Sequence, residues 1–272
     1  MIRLKSKLST YFEFMVNRFR SIYDHIISII NQKFCLLCDE TCQEKSEIKV
    51  KICGECLEDL PWNIHHCYQC ALPISFDGTD TRSTTKLICG ECLKHIPPFT
   101  RTVASFQYKF PIDSIIKLTK YQQQYYWLSP LSDLLFDEIM RTYIQDSLPE
   151  LLIPVPLHPK REQQRGYNQA QIICKELSNK LKITRNEGIL RKSTLTPPQA
   201  TLNKKQRMKN LQDSFSIDSN TLIFDKHIAL IDDVVTTKAT SELISELLLT
   251  HGASRVDIWC IARTPKNLGA NI

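Results

Sequence analysis

The chain has 272 residues, 42% of them apolar and 24% charged, with only 7 glycines and a formal charge of +6. This excludes a disordered, collagen-like or low-complexity protein and suffices for one α/β domain with a smaller module attached. The charge is uneven: residues 1–100 are neutral, whereas residues 156–210 carry 13 Lys/Arg against 3 Asp/Glu.

Residues 1–34 hold six basic and two acidic groups, with apolar residues at Phe12, Val16, Phe19, Ile22, Tyr23, Ile26 and Ile30. That spacing predicts a basic amphipathic helix, docked on the rest of the protein or, alternatively, on a membrane surface or partner. Its apolar runs are too short and too interrupted to span a bilayer, and no signal-peptide pattern is present.

Nine of the 11 cysteines fall between Cys35 and Cys92. Eight form C-x-x-C pairs: Cys35/Cys38, Cys53/Cys56, Cys67/Cys70 and Cys89/Cys92. A secreted disulfide scaffold would not favour two-residue gaps, and a redox dithiol would need one pair rather than four. Two such turns supply the tetrahedral four-sulfur shell that zinc prefers, so the four predict two structural Zn²⁺ sites. An iron–sulfur centre uses the same ligands and stays open as a minor reading. The stretches Lys51–Leu60 and Leu87–Ile96 share the core Ile-Cys-Gly-Glu-Cys-Leu, which marks an internal duplication of a zinc ribbon over residues 35–100. Sequential pairing closes the shorter loops, although crossed pairing satisfies the same spacing. Cys42 is left as a free thiol. The module is net −4 before metal is counted and about −8 with two filled sites, a poor surface for phosphate backbones.

From residue 101 to 272, short apolar runs alternate with helical stripes. Leu151–Pro156 reads as a buried strand and Ala170, Ile173, Cys174, Leu177 and Leu181 as a helix face. His227–Ile231 is a second buried strand, followed by a helix bearing Leu243, Ile244, Leu247 and Leu248 that stops at Gly252. Arg255–Ala262 is a third strand. This is the βαβ spacing of a parallel sheet, whose ligands bind at the carboxyl ends of strands, here just after Ile231. Asp232, Asp233, Val234, Val235, Thr236, Thr237, Lys238, Ala239 and Thr240 follow. Paired carboxylates accept hydrogen bonds from a sugar diol, and a hydroxyl-rich turn opening a helix attracts phosphate.

The run ALIDDVVTTKAT resembles the 5-phosphoribosyl-1-pyrophosphate (PRPP) motif of type I phosphoribosyltransferases. Together with the cysteine pairs, Ile153–Gln171 and Thr196–Phe215, it makes the chain similar to the ComF family of competence proteins over roughly Cys35 to Arg263. The resemblance implies an α/β, phosphoribosyltransferase-like parallel sheet with helices on both faces, preceded by a double zinc ribbon. It implies that Asp232 and Asp233 bind ribose hydroxyls, that Thr236–Thr240 wrap the 5-phosphate, and that Lys120, Lys160, Arg161 and Arg165 lie near pyrophosphate and Mg²⁺. Residues His158–Arg165 would form a loop closing over the substrate. Where the family has glycine after the two threonines, this chain has Lys238, whose ammonium either pairs with the phosphate or takes up its space. The implied role is a cytoplasmic competence factor in natural transformation, placed at the inner face of the membrane if the first helix docks there. It would bind single-stranded DNA and a phosphoribosyl ligand and meet other DNA-uptake proteins. An active PRPP-dependent transferase is the alternative. Lys204, Lys205, Arg207 and Lys209, with Tyr167 as a stacking platform, are the candidate nucleic-acid contacts.

Overall fold

The computed structural model describes residues 34–41, 51–74, 86–192, 214–217 and 223–266. Residues 1–33, Cys42 and the basic stretch with Lys204, Lys205, Arg207 and Lys209 lie outside the described residues. The chain divides into two compact units, Met1–Asp59 and Leu60–Ile272.

The first unit is built on a cysteine turn. Cys35 N–H donates to Glu40 O at 2.8 Å and Leu36 N–H to Lys51 O at 2.9 Å. A short helix, α1 (Gly54–Glu58), starts at Cys53. Cys35, Ile52 and Leu57 form its buried centre.

The second unit opens with another cysteine turn and helix α2 (Gly90–Lys94). Strand β1 (Thr102–Gln107) follows, then helices α3 (Ile112–Tyr121) and α4 (Leu128–Thr142), β2 (Leu151–Pro154), α5 (Pro159–Arg165), α6 (Gln169–Leu181) and β3 (Thr184–Arg185). Strands β4 (Leu190–Lys192) and β5 (Phe215–Ile217) pair antiparallel as a separate ribbon. The chain then runs through β6 (His227–Val235), α7 (Ala239–Thr250) and β7 (Arg255–Arg263).

Five strands form one all-parallel sheet in the order β1–β7–β6–β2–β3. Buried on both faces, β6 and β7 read as near-continuous apolar runs, as central parallel strands must. Side chains alternate between the faces. Leu151, Ile153, Ile228, Leu230, Val256, Ile258 and Cys260 join one core with Ile244 and Leu248 of α7. The intervening Leu152, Ala229, Ile231, Trp259 and Ile261 face the other way, where α4 and α6 pack. Helix α4 buries Leu128, Leu131, Leu135 and Ile139, and α6 buries Ile173, Cys174 and Leu177, each at turn-and-turn spacing. Cys174 and Cys260 are therefore core residues. The parallel sheet with helices on both faces is the architecture expected from the sequence. Among the described residues, no helix is long and apolar enough to cross a membrane.

Gly252 ends α7 at φ +96°, and a Cβ there would stand 2.8 Å from the Phe224 ring, so the stop needs glycine on both counts. At the amino ends of the strands, buried Asp257 accepts from Tyr143 Oη at 2.5 Å, from His227 Nε2 at 2.9 Å and from Arg255 Nη2 at 3.0 Å. Burial opposes its ionisation, but the bonds from His227 and Tyr143 outweigh it and hold Asp257 below the usual carboxylate range.

Two boundaries differ from expectation. β2 stops at Pro154 rather than Pro156, and β6 continues four residues past Ile231. The long partner β7 explains the second, for it keeps pairing Asp232 with Cys260, Val234 with Ala262 and Val235 with Arg263. On the β2 side, the ladder ends where Val155 N–H donates to Ile231 O at 2.8 Å, since Val155 O then accepts from Asn168 Nδ2 and Asp233 N–H turns to Asp232 Oδ1.

Candidate functional site

The chain leaves β2 for the edge strand β3, then returns on the opposite side of β2 as β6 and moves away through β7. Helices α6 and α7 consequently cover opposite faces. The carboxyl ends of β2 and β6 meet where this reversal occurs, the position at which open parallel sheets bind ligands. Asp232 and Asp233 stand there, within β6 rather than after it.

Lys120, near the end of α3, places Nζ 2.8 Å from Asp233 Oδ2. Asp233 N–H donates to Asp232 Oδ1 and Val234 N–H to Asp233 Oδ1, each at 2.8 Å. Burial and then the neighbouring Asp233 charge push the Asp232 carboxyl up to about 7, with Lys120 working against them. The Asp233 charge holds the Lys120 ammonium above its ordinary range despite burial. An adjacent carboxylate pair of which one member ionises near neutrality is suited to accept hydrogen bonds from a vicinal diol or to share a divalent cation.

Lys120 is steered by the stretch Tyr167–Gln169. The Tyr167 hydroxyl donates to Thr119 O, and Gln169 Nε2 donates to the same carbonyl at 3.3 Å. Asn168 caps α6 by accepting from Ala170 N–H at 3.0 Å, and its Nδ2 donates to Val155 O at 3.0 Å. One tripeptide thus ties α3 and α6 to the end of β2. Tyr167 spends its hydroxyl in this tie, and its ring meets Tyr125 edge-on at 5.9 Å.

The stretch His158–Arg165 is helix α5 with its capping residue rather than a loop. His158 accepts from Lys160 N–H at 3.2 Å, Pro159 presets the first turn, and Gly166 ends it at φ +82°. None of the α5 side chains is buried. Lys160 is exposed and Arg161 and Arg165 are partly so. Arg165 lies over the Tyr121 ring at 5.9 Å.

Two further cations border the site that the sequence did not single out. Lys192, on β4, is drawn below its ordinary range by burial and by the Arg161 charge, while Asp232 acts in the opposite sense, so it shares the field of the carboxylate pair. The only sequence signal for it is membership of the basic segment. Arg263, buried at the end of β7, donates through Nη1 to Val235 O at 2.9 Å and to Thr236 O at 2.7 Å. Its signal is a charged residue closing an apolar strand.

After Val235 the chain turns through exposed Thr236 and Thr237 into α7. No side chain caps this helix start. Its first amide groups therefore have no capping side chain at the positive end of a three-turn helix. Lys238 has φ −71°, which asks nothing of glycine. Its ammonium lies 3.8 Å from Cys92 Sγ and 3.3 Å from Glu242 Oε1.

The cysteines gather in sequential sets, Cys35/Cys38/Cys53/Cys56 and Cys67/Cys70/Cys89/Cys92, with all sulfurs of a set within 4.8 Å of one another. Four sulfurs about 2.3 Å from a tetrahedral zinc have edges of about 3.8 Å. Cys38 and Cys53 Sγ are 3.8 Å apart, and Cys70 and Cys89 Sγ are 3.6 Å apart. Cys53 N–H approaches Cys35 Sγ at 3.3 Å, and Cys89 N–H approaches Cys67 Sγ at 3.3 Å, the amide-to-sulfur bonds that orient thiolate ligands. Donor set and spacing fit, and either set could hold a zinc ion.

No protein-family model matches the chain. It is 32% identical over 215 residues to the DNA utilization protein YhgH of Escherichia coli (strain K12), covering 78% of this chain and 90% of that protein. It is 36% identical over 179 residues to competence protein F of Haemophilus influenzae, covering 64% of this chain and 78% of the other. A purine phosphoribosyltransferase from Pyrococcus horikoshii Ot3 superposes at a TM-score of 0.32 and 20% identity, over 50% of this chain and 73% of that one. With identity at this level across nine-tenths of a relative's length, the chain belongs to the ComF family, alongside DNA utilization protein YhgH and competence protein F.

Proposed function

We propose that the protein is a cytoplasmic competence factor that handles single-stranded DNA during uptake and binds a phosphoribosyl group at the end of β6. The names of its relatives support the DNA role. The observation that carries the ligand is the Asp232–Asp233 pair at the reversal of the sheet, followed within three residues by a hydroxyl-rich turn and an uncapped helix start.

In this reading the carboxylates accept hydrogen bonds from the ribose hydroxyls, and the α7 amides with Thr236, Thr237 and Thr240 donate to the 5-phosphate. Lys120, which pairs with Asp233, compensates a pyrophosphate together with Arg161 and Lys192; Lys160 and Arg165 extend that cationic rim. Mg²⁺ would add charge neutralisation to the same oxygens. Both cysteine sets hold zinc. Tyr121 is exposed beside Arg165, Tyr125 and Tyr126 are exposed as well, and faces of that kind stack unpaired bases. Lys204, Lys205, Arg207 and Lys209 are the phosphate contacts assigned to single-stranded DNA.

Calorimetric titration with PRPP and Mg²⁺ tests the ligand. The parent binds and Asp233→Ala loses at least about tenfold in affinity, as the loss of a charge-assisted hydrogen bond requires; equal affinity removes the assignment. Pyrophosphate release in the same samples would mark turnover rather than binding alone. Filter binding of a single-stranded oligonucleotide should weaken steeply with salt, and neutralising the four basic residues should flatten the slope by about 0.7 per lost phosphate contact. An unchanged slope removes that assignment.

A further inference from the structure

Two cations join the second cysteine set to the Thr236–Thr240 turn, and neither is used by the chemistry described above. Arg263 is 4% exposed. Its Nε donates to Cys70 O at 2.9 Å, while Nη1 reaches Val235 O at 2.9 Å, Thr236 O at 2.7 Å and Thr264 O at 3.0 Å. A planar guanidinium has its donors in a fixed fork, so one side chain sets the separation between the Cys67–Cys70 knuckle and the start of the turn. Lys238 makes the second link from within the turn, through its ammonium beside Cys92 Sγ. A divalent ion in four thiolates leaves two excess negative charges, and an ammonium at one sulfur is held most strongly when the set is filled.

We propose that Arg263 and Lys238 are positioning residues through which the metal of the Cys67/Cys70/Cys89/Cys92 set anchors the Thr236–Thr240 turn. A consequence, which rests on the phosphoribosyl reading, is reciprocal: a ligand gripped by the turn tightens metal binding in this set, and the metal tightens the ligand by the same factor.

The test is hydrogen exchange on the full zinc-loaded chain, comparing peptides over 235–242 with peptides over 228–231 as the internal reference. Cys92→Ser should speed exchange of the turn about tenfold or more, while Cys56→Ser, the same change in the other set, leaves it as in the parent. Lys238→Met should speed zinc release to a chromogenic chelator about tenfold for one of the two equivalents, and Lys238→Arg should restore it. Where Cys92→Ser loses the 228–231 protection as well, Lys238→Met and Arg263→Lys decide by the same two readouts. Turn exchange and zinc release that stay at parent values in those two variants would overturn the anchor. PRPP with Mg²⁺ is then added to the parent: slower release of one zinc supports the reciprocal link. An anchor that holds while PRPP binds neither parent nor variant overturns the phosphoribosyl reading instead.

Discussion

The hexapeptide Ile-Cys-Gly-Glu-Cys-Leu occurs at 52–57 and again at 88–93, and its backbone is nearly the same in both places. Cys53 enters its helix at φ −70°, ψ 162° and Cys89 at φ −74°, ψ 155°. Burial is reversed. In the first copy Ile52 and Leu57 are inside and Cys56 is partly exposed; in the second Cys92 is 1% exposed and Leu93 is 70% exposed. Among the described residues of the first unit, Cys35 and Ile52 are the other buried apolar groups, and the leucine of the first copy turns in to join them. The second sits against a sheet that already has a core, and there the sulfurs join Phe99, Ala104, Ile153 and Val235 in one cluster. A local motif thus sets the metal-binding turn, and the surroundings decide which of its side chains turn inward.

The largest effect expected from this difference is on cooperativity. Metal binding supplies roughly 10–16 kcal/mol of folding free energy in structural zinc sites. Cys67→Ser should therefore lower the main calorimetric unfolding transition by ten degrees or more, about what a few kcal/mol does to a domain of this size. Cys35→Ser should leave that transition where it is and remove only one zinc equivalent. Equal shifts for the two variants would mean that the sets are energetically alike despite their different surroundings.

A smaller effect separates the carboxylate pair from the metal. Asp232 has its carboxyl raised to about 7 in the fold, against 3.8 when unperturbed. The native state then holds more protons than the unfolded chain between those values, so this group's contribution to stability falls as pH rises from about 4 to 7 and stays low above. At about 1.4 kcal/mol per unit the ceiling is about 4 kcal/mol. Asp232→Asn should raise the melting temperature at pH 8 and change it little at pH 4, in the parent and in Cys35→Ser alike. A gain of equal size at both pH values would show that desolvation of the charged form is not the cause.

Asn63 offers a finer cut at the attachment of the second set. Its N–H donates to Ser105 O on β1 at 2.9 Å, and its Nδ2 donates to Ala71 O beside Cys70 at 2.9 Å. Asn63→Ala strands a buried carbonyl and should cost about 1–3 kcal/mol in chemical denaturation. A loss much below this would point to a replacement partner for Ala71 O.

What was legible in the sequence follows the same division between local and distant causes. Cysteine spacing, the apolar run at His227–Ile231, the stripe from Ala170 to Leu181 and the stop at Gly252 each depend on a few neighbouring residues, and each stands in the structure. The extension of β6 through Asp232 to Val235 was not legible, because carboxylates read as loop residues until a long parallel partner is known. Arg263 gains its role from Cys70, 193 positions away. Lys238 has one partner within reach of sequence reasoning, Glu242 four residues on, and one beyond it, Cys92, 146 positions earlier. Lys192 acquires significance only when the β4–β5 ribbon brings it toward Asp232.

The smallest expected effect bounds the comparison from the other side. Lys266 pairs with Glu91 of α2 at 2.7 Å, a link between the end of the sheet domain and the second cysteine helix that looks in outline like the Arg263 and Lys238 ties. Both of its side chains are more than half exposed. The pair lowers the Glu91 carboxyl below its usual range, but water and salt screen an exposed charge pair and two long side chains lose rotamer freedom to form it. Lys266→Ala should leave both the melting temperature and zinc release at parent values, in contrast to Lys238→Met. A measurable loss in Lys266→Ala would show that any cation near the second set supports it, and that the burial of Arg263 and Lys238 is not what distinguishes them.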